Sequence, residues 1–300
     1  MPNWNARAKC GSSIAMPSAL IGLDLAWSPR NTTGLALGLL TPATPEHPAT
    51  LEVVHLAVVL SNEEILGAIG AWLAETGAES AVCAIDAPLV VPNLSGSRWA
   101  DRLATRLLGP FKAGVYPANR NWLGKYGGER IWDLADTLCR ELAFAYPAAD
   151  QPLPQQSLAE VYPHAVQLAA FGLTERLKYK SGGDRAALER DMGRLRKGLG
   201  SLAGADPALT PHPILVDSPP HNLRGKARKA YEDQLDALCC LYMAGAMAAH
   251  PPKQVLLCGS AETPAEHGAI VVPDGWANEA YSKRLRQLEQ EQGWHFGRMQ

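Results

Sequence analysis

No Cys-x-x-Cys pair occurs in this 300-residue sequence. Its six cysteines are Cys10, Cys83, Cys139, Cys239, Cys240 and Cys258, and only the adjacent pair 239/240 is clustered. That spacing argues against a zinc motif and reads as buried free thiols in a reducing compartment. No run of about 18 apolar residues is present, so no segment is expected to cross a membrane. Residues 1–18 mix Pro, Asn, Gly and Ser without an apolar core. They read as a flexible arm with no signal peptide, and the expected location is the cytoplasm. The net charge is only −2, so any surface for nucleic acid must be a local patch. No internal repeat is visible.

What is present is enough apolar sequence, 47%, for one large domain with insertions or for two small ones. Residues 19–26 (Ala-Leu-Ile-Gly-Leu-Asp-Leu-Ala) read as a strand. Residues 34–40 and 51–60 follow after short turns, which makes an antiparallel meander. Ser61 with Glu64 three residues on spells a capping box, opening a helix that ends near Gly77. Residues 81–89 then form a strand parallel to its neighbour. Residues 92–156 read as an insertion in which basic and aromatic residues interleave. It includes Arg98, Trp99, Arg102, Trp122 and Tyr126, a helix over 129–146 and a Pro-Gln-rich linker over 147–156. Strand five is placed at 157–162, with Pro163 in the first turn of a helix over 163–171. Residues 174–230 carry twelve Lys and Arg against six Asp and Glu, much of it on a helix near 184–198. A long helix at 228–249 is apolar on nearly every side after Asp236 and is expected to be buried. Residues 269–272 read as a short strand, and 276–300 as a tail or surface helix. The domain itself spans 19–275.

A repeated feature runs through these elements. Asp24, Asp86 and Glu160 each stand near the end of an apolar strand, and Asp233 and Asp236 share a face of the last long helix. A single strand-end Asp usually caps a turn; four acid-bearing segments suggest one site. If the strands bearing Asp24 and Asp86 are neighbours, both acids reach the sheet end where open α/β sheets bind ligands. Gathered carboxylates repel unless a cation offsets them. Mg²⁺ or Mn²⁺, hard ions that prefer oxygen, would do so, and a pair of them hydrolyses phosphodiesters.

The order of elements resembles the RNase H-like superfamily, with a late Asp-x-x-Asp like that of its RuvC-type branch. The closer resemblance is to domain-of-unknown-function family 429 (DUF429), predicted RNase H-like nucleases. It is carried by Ile21 to Ser28, Ile85 to Leu89, Arg98 to Arg102, Glu160 to His164, Tyr179-Lys180 with Arg185, Asp233 to Leu238, and Gly268 to Pro273. The resemblance implies a mixed five-stranded sheet, strands one to three antiparallel and four and five parallel, flanked by helices, with the insertion between strands four and five. It implies Asp24, Asp86 and Asp236 as metal ligands, completed by Asp233 or Glu160, and metal-dependent hydrolysis of DNA or RNA.

Other residues admit two readings each. His164 positions water or contacts phosphate, or is structural. Lys180 and Arg185 are phosphate contacts or solvated cations. Arg98, Arg102 and the aromatic residues around them stack and bind substrate, or the Trp residues form a core of the insertion's own. Two other functions compete with the nuclease: a non-catalytic adaptor for nucleic acid or protein, and an actin-like or sugar-kinase ATPase. The ATPase lacks its signature, since Leu-Ala-Trp-Ser follows Asp24 and no Gly/Thr-rich phosphate loop does. Nothing in the sequence sets the oligomeric state.

Overall fold

A computed structural model describes residues 16–180, 184–218, 223–258, 264–291 and 296–300. Cys10 and nearly all of the 1–18 arm lie outside the described residues. β1 (Ser18–Asp24), β2 (Thr33–Thr41) and β3 (Thr50–Val59) form the antiparallel meander. α1 (Asn62–Thr76) opens on the Ser61/Glu64 capping box and stops at Gly77, whose φ of 55° suits a residue without a Cβ. The helix returns the chain to β4 (Ser80–Ile85), parallel to β1 with Leu23 opposite Ile85.

The insertion supplies α2 (Trp99–Leu108), α3 (Arg120–Gly124) and α4 (Glu129–Glu141). β5 (Gln156–Glu160) is parallel to β4. After it come α5 (Pro163–Phe171), α6 (Arg185–Ser201), β6 (Ala208–Leu209), α7 (Pro213–Val216) and the 25-residue α8 (Gly225–Ala249). The sheet order is β5-β4-β1-β2-β3-β6. It is an α/β fold with a mixed sheet flanked by helices, consistent with the RNase H-like expectation. The sixth strand is unexpected; with two residues, β6 is too short to show an alternating pattern.

β7 (Gln254–Leu257), α9 (Pro264–His267), β8 (Ile270–Pro273), α10 (Glu279–Gln290) and β9 (Phe296–Arg298) complete the chain, with β8-β7-β9 a second antiparallel sheet. The tail is not detached. Tyr281, Leu285 and Leu288 of α10 are buried in a cluster with Leu107 of α2 and Val255 of β7. The stretch expected as a linker is also tied in, with Asp150 N–H donating to the Arg298 carbonyl at 2.9 Å.

Strand alternation divides the core. Leu20 faces α8 with Leu51, Leu235, Leu238 and Leu241. Ile21 and Leu23 face α1 and α4 with Ile65, Ile69, Ile131 and Leu134. Glycines let α8 lie close on the sheet. A Cβ on Gly22 would collide with the backbone of Ala237 and Leu241, and one on Gly34 with the backbone of Asp233. The two glycines therefore set how near the acids of α8 come to the end of β1. The insertion has no separate core. Ile131 and Leu134 join the cluster under β1, while Leu103 and Leu107 join the one under the second sheet. Its Trp99 and Trp122 are exposed, contrary to the core reading, because the aliphatic residues of α2 and α4 already fill the contact faces. Among the described residues, no helix is long and apolar enough to cross a membrane.

Candidate functional site

Asp24 is the last residue of β1, and Asp86 follows the last residue of β4. Because the two strands are parallel and adjacent, their ends coincide, and Asp86 N–H donates to the Leu23 carbonyl at 2.8 Å. Asp236 comes from α8, which crosses this end of the sheet. All three acids line one cavity of about 550 Å³, together with His164, Tyr179 and Lys180.

Asp236 is fully buried and multiply held. The Tyr179 hydroxyl donates to its Oδ1 at 2.5 Å, and the Gln167 amide reaches the same oxygen at 3.4 Å. Lys180 Nζ lies 2.6 Å from its Oδ2 and 3.7 Å from Asp24 Oδ2. Gln167 also donates to the Tyr179 oxygen at 3.0 Å and pairs with His164 Nδ1 at 3.1 Å. His164 stands edge-on between Tyr162 and Tyr179. No salt bridge reaches Asp86 among the described residues.

The electrostatics follow from burial. Burial raises the Asp24 carboxyl from 3.8 to about 7; Lys180 opposes the rise, and Asp236 and Asp233 add to it. Asp86 is pushed well above the usual range by burial and then by Asp24. For Lys180, burial works against the charge, but Asp236 and Asp24 overcome it and raise its pKa. His164 is lowered by burial and so stays neutral at pH 7.

The remaining expected residues lie elsewhere. Asp233 is buried, but it accepts from the Thr32 hydroxyl at 2.8 Å and pairs with Lys229. It fixes the β1–β2 turn to α8 and does not line the cavity. Glu160 and Arg98 do not line the cavity either. The two form a buried ion pair at 2.6 Å, and Asp101 takes the same guanidinium at 2.7 Å. The cause is geometric: Glu160, opposite Ile85 at the end of β5, meets the chain entering the insertion, and Leu89 N–H also donates to it at 3.1 Å. Arg102 covers the Trp99 ring at 4.1 Å, and Arg185 pairs with Glu189 at 2.7 Å. Neither lines the cavity. Lys180 does, as the cation between two of the acids. Sequence reasoning assigned no role to Gln167. It stands one helical turn beyond His164, an i,i+3 spacing that was readable as a side-chain pair. Tyr116, Trp122 and Tyr126 also line the cavity.

A carboxylate donor set suits a hard divalent cation. The donor chemistry therefore fits Mg²⁺ or Mn²⁺. Of the five carboxylates expected, Asp24, Asp86 and Asp236 line the cavity, while Glu160 and Asp233 are engaged elsewhere. Among the described residues, no three His, Cys, Asp or Glu side chains stand as a preformed ligand set. Lys180, in contact with both Asp24 and Asp236, holds the space between them.

A family model matches residues 22–255. The chain belongs to DUF429, a family described as a protein of unknown function. The DUF429 stretch includes Asp24, Asp86, Asp236, Lys180 and the aromatic residues of the cavity. β8, α10 and β9 lie beyond it. No curated protein and no solved structure matches the chain.

Proposed function

We propose that this DUF429 protein is a metal-dependent hydrolase of phosphodiester bonds in nucleic acid, with Mg²⁺ or Mn²⁺ as its cofactor. One observation carries the reading: acids from β1, β4 and α8, far apart in sequence, line a single cavity. The RNase H-like layout supplies the reaction class by analogy. Asp24, Asp86 and Asp236 would hold the ion, which when bound supplies Lewis-acid stabilisation of charge on the phosphate. Tyr179 and Gln167 orient Asp236 by donating to it. Arg176, Lys178 and Lys180 line the cavity and meet phosphate oxygens with charge-assisted hydrogen bonds. Neutral His164 holds Gln167 in place rather than adding a cation. The free thiols of Cys83, Cys139, Cys239 and Cys240 fit a reducing cytoplasm.

A non-catalytic adaptor is the second reading. It is favoured by the Lys180 ion pairs, which already engage Asp24 and Asp236. The test is cleavage of labelled DNA and RNA, single strands and hairpins, in Mg²⁺ and in Mn²⁺. Cleavage is expected in at least one case and is lost in Asp24→Asn. Cleavage that persists in chelator or in Asp24→Asn overturns the mechanism. Binding without cleavage across the panel favours the adaptor.

A further inference from the structure

The cavity has a wall that hydrolysis alone does not explain. Tyr116, Trp122 and Tyr126 line it and are 77%, 40% and 46% exposed. Large aromatic rings left this open forgo the burial that normally places them in a core. The segment that carries Trp122 and Tyr126 is nevertheless held firmly. The Asn119 side chain caps α3 by accepting from Trp122 N–H at 2.9 Å, and its amide donates to the Gly96 carbonyl at 2.9 Å. Ala118 is pinned on both sides, its N–H to Asp101 Oδ2 at 2.9 Å and its carbonyl to the Asn93 amide at 3.0 Å. Asp101 is itself held by Arg98, so the buried Arg98–Glu160 pair supports the wall from behind. Trp122 and Tyr126 meet edge to face with centroids 5.3 Å apart, and Lys125 Nζ lies 5.6 Å from the Trp122 ring.

A second set of residues in the same cavity has a different chemistry. In the segment after α5, Arg176, Lys178 and Lys180 are exposed and alternate with buried Leu177 and Tyr179. The alternation turns three cations to one side of an extended stretch. The cavity thus combines open aromatic faces, a row of cations and a group of carboxylates.

We propose that Tyr116, Trp122 and Tyr126 stack the unpaired bases of a single-stranded nucleic acid, so that the site takes unpaired strands in preference to duplex. The inference rests on the phosphodiester reading above. Stacking on an aromatic side chain needs a free base face, which a paired and stacked base inside a duplex does not offer. The cation row takes the backbone. A volume of about 550 Å³ suits one or two nucleotides rather than a helix. Stacking tolerates any base, so little sequence preference is expected.

The test is fluorescence anisotropy with short fluorescein-labelled oligothymidylate, oligouridylate and a hairpin duplex, in chelator and again in Ca²⁺. One or both single strands should bind at least about tenfold more tightly than the duplex. Trp122→Ala should weaken single-strand binding about tenfold, Tyr126→Ala should act in the same direction, and Trp122→Phe should restore most of the loss. DNA and RNA are told apart by the first two probes. Equal affinity for duplex, binding unchanged in both alanine variants, or no binding of either single strand overturns the inference. The two readings fail separately. Trp122-dependent binding of single strands with no cleavage in any metal removes hydrolysis and leaves stacking. Metal-dependent cleavage that is unchanged in Trp122→Ala removes stacking and leaves hydrolysis.

Discussion

Arg98 grips Glu160 through two parallel hydrogen bonds, Nη1 to Oε2 at 2.8 Å and Nη2 to Oε1 at 2.6 Å. The same guanidinium donates to the Val90 carbonyl and to Asp101, so one side chain joins the end of β5 to the start of the insertion. Both partners are buried. Burial raises the Glu160 carboxyl and Arg98 pulls it back.

Removing one member of that pair should therefore be costly. Glu160→Ala or Arg98→Ala leaves an unpaired charge in a dry place and should lower stability by about 3–5 kcal/mol in urea unfolding. Were Glu160 a metal ligand instead, its removal would relieve repulsion in the metal-free protein, and stability would hold or rise.

Much of this fold is legible in the sequence. The meander, the capping box at Ser61 and the helix over 163–171 follow from local patterns that tertiary structure did not override, whereas the pairing of the strands bearing Asp24 and Asp86 stood in the sequence only as a condition. What an acid at a strand end does is not a local property. Glu160 reads like Asp24 in sequence, yet it meets Arg98 from a segment about sixty residues away. Asp233 and Asp236 share a helix face, yet Gly34 brings the backbone of Asp233 against β2, beside the β1–β2 turn that supplies Thr32. The aromatic residues of the insertion carried two readings in the sequence, stacking or a core of their own, for the opposite reason. Exposed and buried tryptophans look alike until the aliphatic residues that fill the core are known.

Asp24 makes stability depend on pH. Its carboxyl titrates at 3.8 when unfolded and is raised to about 7 by burial in the fold. A group raised on folding contributes stability that is present below the unfolded value and lost as pH rises through the folded one. Metal-free protein should thus melt lower at pH 8 than at pH 6, and Asp24→Asn should flatten that difference. An equal pH dependence in both proteins would rule Asp24 out as its source.

Two neighbouring acids should respond oppositely to the same substitution. Asp236 accepts from Tyr179 and Gln167 and pairs with Lys180. Asp236→Asn should cost the metal-free protein about 1–3 kcal/mol, less than a fully dry pair because Lys180 is 39% exposed. Asp86 has no cation bonded to it and faces Asp24. Asp86→Asn should raise stability by about 1 kcal/mol, a melting shift of roughly 2–4 °C. Thermal melts in chelator check both signs, and destabilisation by Asp86→Asn would show that its carboxylate is held by the fold.

Lys180 would compete with a metal ion for the site. Its ammonium contacts Asp236 and Asp24, two of the three carboxylates that would hold a divalent ion, so an ion must displace it. Lys180→Gln should lower metal-free stability by about 1–2 kcal/mol, since a half-open ion pair is screened by water. It should also enlarge the rise in melting temperature caused by Mn²⁺. The ion then binds carboxylates with no competing cation, and ligand binding to the native state stabilises in proportion to affinity. Cleavage should nevertheless fall, because the displaced ammonium is the cation nearest the acids and is then free to meet a phosphate oxygen. A Mn²⁺ response that is unchanged in Lys180→Gln would mean that ion and ammonium occupy different places. A response that vanishes would mean that Lys180 is needed to keep Asp24 and Asp236 together. Either result would separate the lysine from the competition that its contacts with Asp236 and Asp24 describe.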